Sequence, residues 1–380
     1  MASSFGLFEK FRMGGKTTTS ALLGFARLSP WQARIILAVW IASTSAAIYI
    51  TTSDWKQGFA DAPTIAAARS DVDLYRTTVQ RMAAGEPYYP VMAEELLRRG
   101  YPTASIFNWR TPLPMWIIAN LPSPVLGKAI LGVLSITLVL AAFELLARKR
   151  SISTAILGVL LLTGPLLLCI LGDLYVTPML WAGVLIALSV VFYGLDKSGW
   201  AVVFGLAALF MRDLAGPYCA LAAGMALWNR NYRELTMWMI GLVIFSIFFG
   251  YHITMVDQYQ TINARAHDGG WVKFGGAPFI ISVAQVSAYL LLIPQWVSAI
   301  YLSLAMLAMA AWSDKFALRL ALPLLLYLAL FAAIGNDFNQ YWGALLAPTL
   351  CLAVATAPRA LACLYQNARL TGLTRLSVQE

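Results

Sequence analysis

Apolar stretches of about 20 residues recur along almost the whole 380-residue chain, each long enough to cross a hydrocarbon core of about 30 Å as a helix. A chain built this way has few options. Inside lipid every backbone N–H and C=O must be paired within the protein, which leaves only helices or a closed barrel. The period-2 alternation of a barrel strand is absent, so the expected fold is all-α and integral to the membrane. Composition agrees: 60% hydrophobic and 12% charged residues, with a mean hydropathy of +0.70, leave too little polar surface for a water-soluble globule.

The formal charge of +9 does not point to nucleic acid, because the basic residues flank the apolar runs instead of forming a separate basic domain. Lys10, Arg12, Lys16, Arg27 and Arg34 precede the first run, Arg148-Lys149-Arg150 follow the second, and Arg230 and Arg233 follow the sixth. By the positive-inside tendency these segments and the N-terminus are expected in the cytoplasm. The first 30 residues lack a compact apolar core followed by a small-residue site, so the first span is expected to stay as an anchor. Cys169, Cys219, Cys351 and Cys363 stand singly, without CxxC spacing, and read as small core hydrophobes. His252 and His267 are too isolated to argue for a metal site.

The runs predict about ten transmembrane helices with a large outer loop between the first two. A basic N-terminus covers residues 1–32, a polytopic region 33–357, with outer loops at 52–122 and 255–292, and a basic cytoplasmic tail 358–380. The short pieces 200–211 and 214–228 are broken by Arg212-Asp213 and Gly216-Pro217 at the outer side. Residues 279–293 read as a partly inserted helix on the outer face, since a full span there would put Arg359, Arg369 and Arg375 outside.

This topology gathers Asp71, Asp73, Asn108, Arg110, Asp173, Arg212, Asp213, His267, Asp268, Lys273, Asn336, Asp337 and Gln340 on the outer side. Loops are polar wherever they lie, but Arg212-Asp213 between two short apolar pieces is costly at membrane depth, and serves either as a structural pair or in a wet functional cavity. In the first outer loop Val72, Tyr75, Val79 and Met82 recur at helical spacing, predicting an amphipathic helix over 72–84 that lies on the membrane. Ser70 and Asp73 have capping-box spacing, so the acids either cap that helix or serve a site. Two residues apart, Asp71 and Asp73 stand about 200° apart on a helix, so only one faces any given site.

The order Ser70-Asp71-Val72-Asp73-Leu74-Tyr75, then Gly85-Glu86-Pro87-Tyr88-Tyr89, then Trp109-Arg110-Thr111-Pro112-Leu113 resembles the first outer loop of GT-C glycosyltransferases. The pattern is similar to that of polyprenyl- or dolichyl-phosphate-mannose-dependent mannosyltransferases, with departures at Leu74 and at the order Trp109-Arg110. The resemblance implies transfer of a sugar, mannose favoured, from a polyprenyl-phosphate donor to the hydroxyl of a glycan or lipid acceptor, with inversion. It implies a loop aspartate as general base, Asp73 favoured and Asp71 second. Arg110 and Arg212, with Lys273 third, would hold the donor phosphate, as cations suit a leaving group that gains charge. Tyr75, Tyr88, Asn108, Asp213 and His267 are the candidate sugar or acceptor contacts. No cofactor and no metal is expected, because the donor carries a single phosphate.

A rival reading is a carrier or flippase, which the broken helices at 200–228 would also suit. It predicts charges buried in span centres and an internal repeat, whereas the acids cluster in an outer loop. A non-catalytic envelope scaffold would leave the aspartates and arginines without a task. The absence of glycosylation sequons and the compact size lean towards a bacterial inner membrane with a periplasmic site.

Overall fold

The protein is represented by a computed structural model that describes residues 24–53, 63–261, 264–266 and 273–369, without the side chains of Ser53, residues 63–70 and Asp337. Lys10, Arg12, Lys16, His267, Asp268 and Arg375 lie outside the described residues. The described residues are helical throughout, without a strand. In chain order the α-helices are α1 (Pro30–Ser53), α2 (Pro63–Ala83), α3 (Tyr88–Arg98), α4 (Leu113–Ala119), α5 (Pro124–Lys149), α6 (Ile152–Leu168) and α7 (Pro178–Gly194). Then follow α8 (Ser198–Met211), α9 (Gly216–Trp228), α10 (Tyr232–Tyr259), α11 (Gly276–Ala284), α12 (Gln295–Ala311), α13 (Lys315–Ala333) and α14 (Ala347–Arg369).

Five of these, α1, α5, α10, α13 and α14, are long and apolar enough to cross a membrane. Four shorter apolar helices, α6, α7, α8 and α12, pack among them. Local signals start the helices where they start. Ser123 caps α5 through the Val125 N–H at 3.4 Å, Ser151 caps α6 through Thr154 at 3.2 Å, and Asp314 caps α13 through Phe316 and Ala317 at 3.0 and 3.2 Å. Pro178 and Pro217 occupy first-turn positions of α7 and α9, where a missing N–H costs nothing.

The axis of the bundle is α7, buried over almost its whole length and apolar on every side, as an enclosed helix must be. It packs against α5, α8, α13 and α14. The outer helices instead expose apolar side chains, such as Val39 on α1, Val133 on α5 and Ile247 on α10, at 62%, 62% and 70%. A continuous apolar exterior of this kind suits lipid, not water.

Contacts sort the helix ends into two sets. At one end Arg34 Nε bonds the Ala368 carbonyl at 2.8 Å, Arg359 bonds the Arg150 carbonyl at 3.0 Å, Arg150 pairs with Asp314, and Lys149 pairs with Asp196 at 3.3 Å. Arg34, Lys149, Arg150 and Arg359, basic residues that flank the runs, therefore lie at that end. The other end carries α2, α3, α4, the α8–α9 break and a 3-10 helix, Asp337–Leu345.

Three boundaries differ from the sequence reading. The last long helix starts at Ala347, because the preceding residues wind as the 3-10 helix, and it runs through Pro358 to Arg369, past the expected boundary at 357. Helix α10 continues to Tyr259, so the second polar loop begins at residue 260. Residues 276–293 form the short α11 and one 3-10 turn, Leu290–Leu292. The 3-10 helix Asp337–Leu345 sits close to its supports: a Cβ on Gly183 would strike the Ala344 carbonyl, and one on Gly343 the Val283 carbonyl. Only glycine permits such an approach of one backbone to another.

Candidate functional site

The site is built on α2. Its first turns, Pro-Thr-Ile-Ala-Ala-Ala, have proline at the start and three alanines, the best helix former, in the second turn, so the helix runs from Pro63 and not from near residue 72. Asp71 and Asp73 consequently stand in the third turn, and the capping alternative is set aside because neither residue is at a helix start. The expected membrane-lying face is also corrected. Leu74, Tyr75 and Val79 are buried, and α2 packs against α3, α4 and the 3-10 helix, so protein covers its apolar stripe.

The two acids point to different surroundings, as their spacing requires. Asp73 is half exposed and pairs with Arg76 at 2.8 Å; Arg76 in turn reaches Asp173 at 3.2 Å. Asp71 lies four residues before Tyr75, on the same face. Its Oδ1 accepts the Tyr101 hydroxyl at 2.5 Å, and its charge acts on both Tyr75 and Arg110. Of the two, Asp71 is the one that belongs to the interior constellation.

Tyr75 is 3% exposed and accepts from Arg110 Nε at 2.9 Å. Burial pushes its phenol up to about 12, with Arg110 and Arg212 opposing and Asp71 adding to the rise, so it stays neutral at physiological pH. Arg110 Nη2 donates to the Tyr341 hydroxyl at 3.0 Å, and Nη1 to the Phe107 carbonyl. The guanidinium is thus held at all three nitrogens and remains a cation.

Arg110 itself sits in the left-handed region, with φ 52°. A side chain there costs about 1 kcal/mol or more, and persists only where the surroundings enforce it. Tyr88 supplies that enforcement. Its buried hydroxyl reaches the Trp109 carbonyl at 2.5 Å and the Arg110 carbonyl at 2.8 Å, while the Trp109 indole donates to the Thr103 carbonyl at 3.0 Å. Burial holds the Tyr88 phenol well above its ordinary value, so it remains a donor. The Gly-Glu-Pro-Tyr-Tyr and Trp-Arg-Thr-Pro segments of the sequence are therefore one device that aims a single arginine.

Arg212 ends α8 with an extended backbone and is 5% exposed. Nη1 lies 2.7 Å from Asp213 Oδ1, an ion contact off the hydrogen-bond direction, so the pair predicted as one alternative does form. Arg212 nonetheless contributes to the field at Tyr75 and Tyr88. Asp71, Tyr75, Tyr88 and Arg110 are thus brought together, with the Arg212–Asp213 pair within electrostatic reach of the two tyrosines. The Asn108 amide donates to the Pro102 carbonyl inside its own loop, Lys273 is exposed where its carbonyl accepts from Gly335 at 2.7 Å, and His267 lies outside the described residues.

Sequence reasoning missed Tyr101, Tyr341 and Glu95. Tyr341 follows the polar run Asn336-Asp337-Phe338-Asn339-Gln340, which was the available signal. Glu95, 3% exposed, receives Arg98 at 2.6 Å, Arg99 at 3.2 Å and Arg81 at 3.3 Å; Arg99 also bonds the Asp73 carbonyl at 3.3 Å. Burial works against the Glu95 charge, but the Arg98 and Arg99 bonds outweigh it and leave its pKa below the ordinary 4.5. Its stabilising contribution is therefore present above 4.5 and lost as pH falls through the lowered value. Glu95→Gln is expected to weaken docking of α3 on α2 by about 2 kcal/mol at neutral pH, read as earlier proteolysis of that pair. Among the described residues no group of three or more His, Cys, Asp or Glu side chains is placed to hold a metal ion. No family model, curated protein or solved structure matches this chain.

Proposed function

We propose that the protein is an inverting glycosyltransferase of the membrane that moves a sugar, mannose favoured, from a polyprenyl-phosphate carrier to an acceptor hydroxyl. The observation that carries this reading is a carboxylate, Asp71, on the α2 face of Tyr75, which Arg110 bonds at 2.9 Å, at the end of an apolar bundle that also carries the buried Arg212–Asp213 pair. In this mechanism Asp71 takes the proton from the acceptor hydroxyl as its oxygen attacks the anomeric carbon. The bond from that carbon to the phosphate oxygen breaks, and polyprenyl phosphate leaves with the charge that Arg110 and Arg212 stabilise. Asp73 is the other candidate base, but it is committed to the exposed Arg76–Asp173 pairs. Tyr75 and Tyr88 position Arg110. The apolar exterior gives the prenyl chain a route from the bilayer.

The same reading has about ten helices crossing the membrane, with the basic end in the cytoplasm and the site end outside, periplasmic in a bacterial inner membrane. The two sorted sets of helix ends support that alternation. The break at Arg212-Asp213 between α8 and α9 favours the second reading, a carrier with discontinuous helices. Purified protein in nanodiscs, given polyprenyl-phosphate mannose, glucose or arabinose and a membrane extract as acceptor, is expected to transfer label from one donor. No transfer from any donor, with solute movement in vesicles, favours the carrier.

A further inference from the structure

The 3-10 helix Asp337–Leu345 repeats every three residues, so Asn339 and Trp342 stack along one edge, and Asn336, its N-cap, continues the line. All three side chains are more than nine-tenths buried, at 8%, 1% and 7% exposure for Asn336, Asn339 and Trp342. Asn336 Nδ2, Asn339 Nδ2 and Trp342 Nε1 nevertheless have no hydrogen-bond partner among the described residues. Buried donors are nearly always paired, and each one left bare has given up water without return. Three on one edge form a surface of N–H groups that asks for acceptor oxygens.

The residues between them are already committed. Tyr341 accepts from Arg110 at 3.0 Å, and Gln340 donates to the Ser282 carbonyl at 3.3 Å. These bonds, the close backbone approach at Gly343 and the packing of the Trp342 ring on Phe331 fix the helix, while the Asn336 and Asn339 amide nitrogens and the Trp342 N–H stay without acceptors among the described residues. Its chemistry is two carboxamides and an indole, with no cation. Neutral donors of this kind suit hydroxyl and ether oxygens, which a carboxamide can serve from both its ends. The indole ring is itself packed on Phe331, 5.3 Å between centroids, so what Trp342 offers is its N–H. A phosphate would call for a guanidinium, which Arg110 supplies at the adjacent residue.

We propose that Asn336, Asn339 and Trp342 form a subsite that grips the hydroxyls of a sugar beside Arg110. The subsite deepens the transferase reading and rests on it for the source of the sugar, donor or acceptor.

The test uses the full chain in nanodiscs, titrated by tryptophan fluorescence with polyprenyl-phosphate mannose, with polyprenyl phosphate lacking sugar, and with a free methyl mannoside. Wild type is compared with Asn339→Leu, which replaces the bare amide by an apolar group of similar size and so keeps or raises Tm. Asn336→Ala serves as the second variant should the first not fold. Wild type is expected to bind the sugar-bearing lipid about tenfold or more tighter than the bare one, and the variant to bring that ratio to about one. Loss in the lipid arm assigns the edge to the donor sugar; loss confined to the mannoside arm assigns it to the acceptor. A variant that keeps the wild-type preference in both arms, with water or nothing on the edge, overturns the proposal and leaves the transferase reading standing. Wild type that binds neither sugar ligand also overturns it, and the transferase reading falls with it only if label transfer is absent too.

Discussion

Asp71→Asn is expected to lower sugar transfer by about 10³-fold at saturating donor, while the protein remains folded. The carboxamide still offers an oxygen to the Tyr101 hydroxyl, so the 2.5 Å contact that holds this side chain has a substitute. What it cannot do is accept a proton from an attacking hydroxyl. Asp73→Asn removes an exposed ion pair with Arg76 instead, and such pairs contribute little, so a loss below about tenfold is expected. Comparing the initial rates of the two variants, with thermal unfolding as the control, separates the acids. A full loss at Asp73 with activity retained at Asp71 would transfer the base role to Asp73.

Arg110→Lys carries the second large effect. Lysine keeps the positive charge but cannot reach Tyr75, Tyr341 and the Phe107 carbonyl at once, as the guanidinium does. The charge would no longer be aimed at the departing phosphate. Misplaced transition-state stabilisation of this kind costs about 10² to 10³ in kcat. Because the developing charge exists only as the sugar leaves, the loss is expected in kcat with donor KM changed far less. Tyr88→Phe, which frees the Trp109 and Arg110 carbonyls, is expected to fall in the same direction by a smaller factor. A rise in KM alone would make Arg110 a ground-state binding residue.

The helical class of the fold and the meeting of the three motifs in one candidate site were legible because both rest on strong local signals. Twenty-residue apolar runs can only be helices in lipid, and the three short motifs do converge on one arginine. What stayed hidden depends on where a helix starts and which way a side chain faces. Reading the helix from Val72 left the acids at its N-terminus; the alanine-rich turns from Pro63 move them inside it and decide that Asp71, not Asp73, shares the Tyr75 face. Tyr341 has apolar neighbours that continue the last hydrophobic run, so the sequence does not set it apart from a membrane span. Only the tertiary contact with Arg110, 231 residues away in sequence, reveals its place. The Glu95 network was invisible for the same reason, since charged residues on an outer helix read as solvated until their partners are known.

The central claim is that the Asp71–Arg110–Arg212 constellation splits a lipid-linked sugar. A polyprenyl-phosphate mannose labelled separately in sugar and phosphate tests it most directly, in proteoliposomes supplied with acceptor. The expected result is that the sugar label moves to the acceptor while the phosphate label stays with the prenyl chain, and that Asp71→Asn stops the separation. Both labels crossing the bilayer together on an intact lipid, at equal rates in wild type and Asp71→Asn, would contradict the claim and make the protein a carrier.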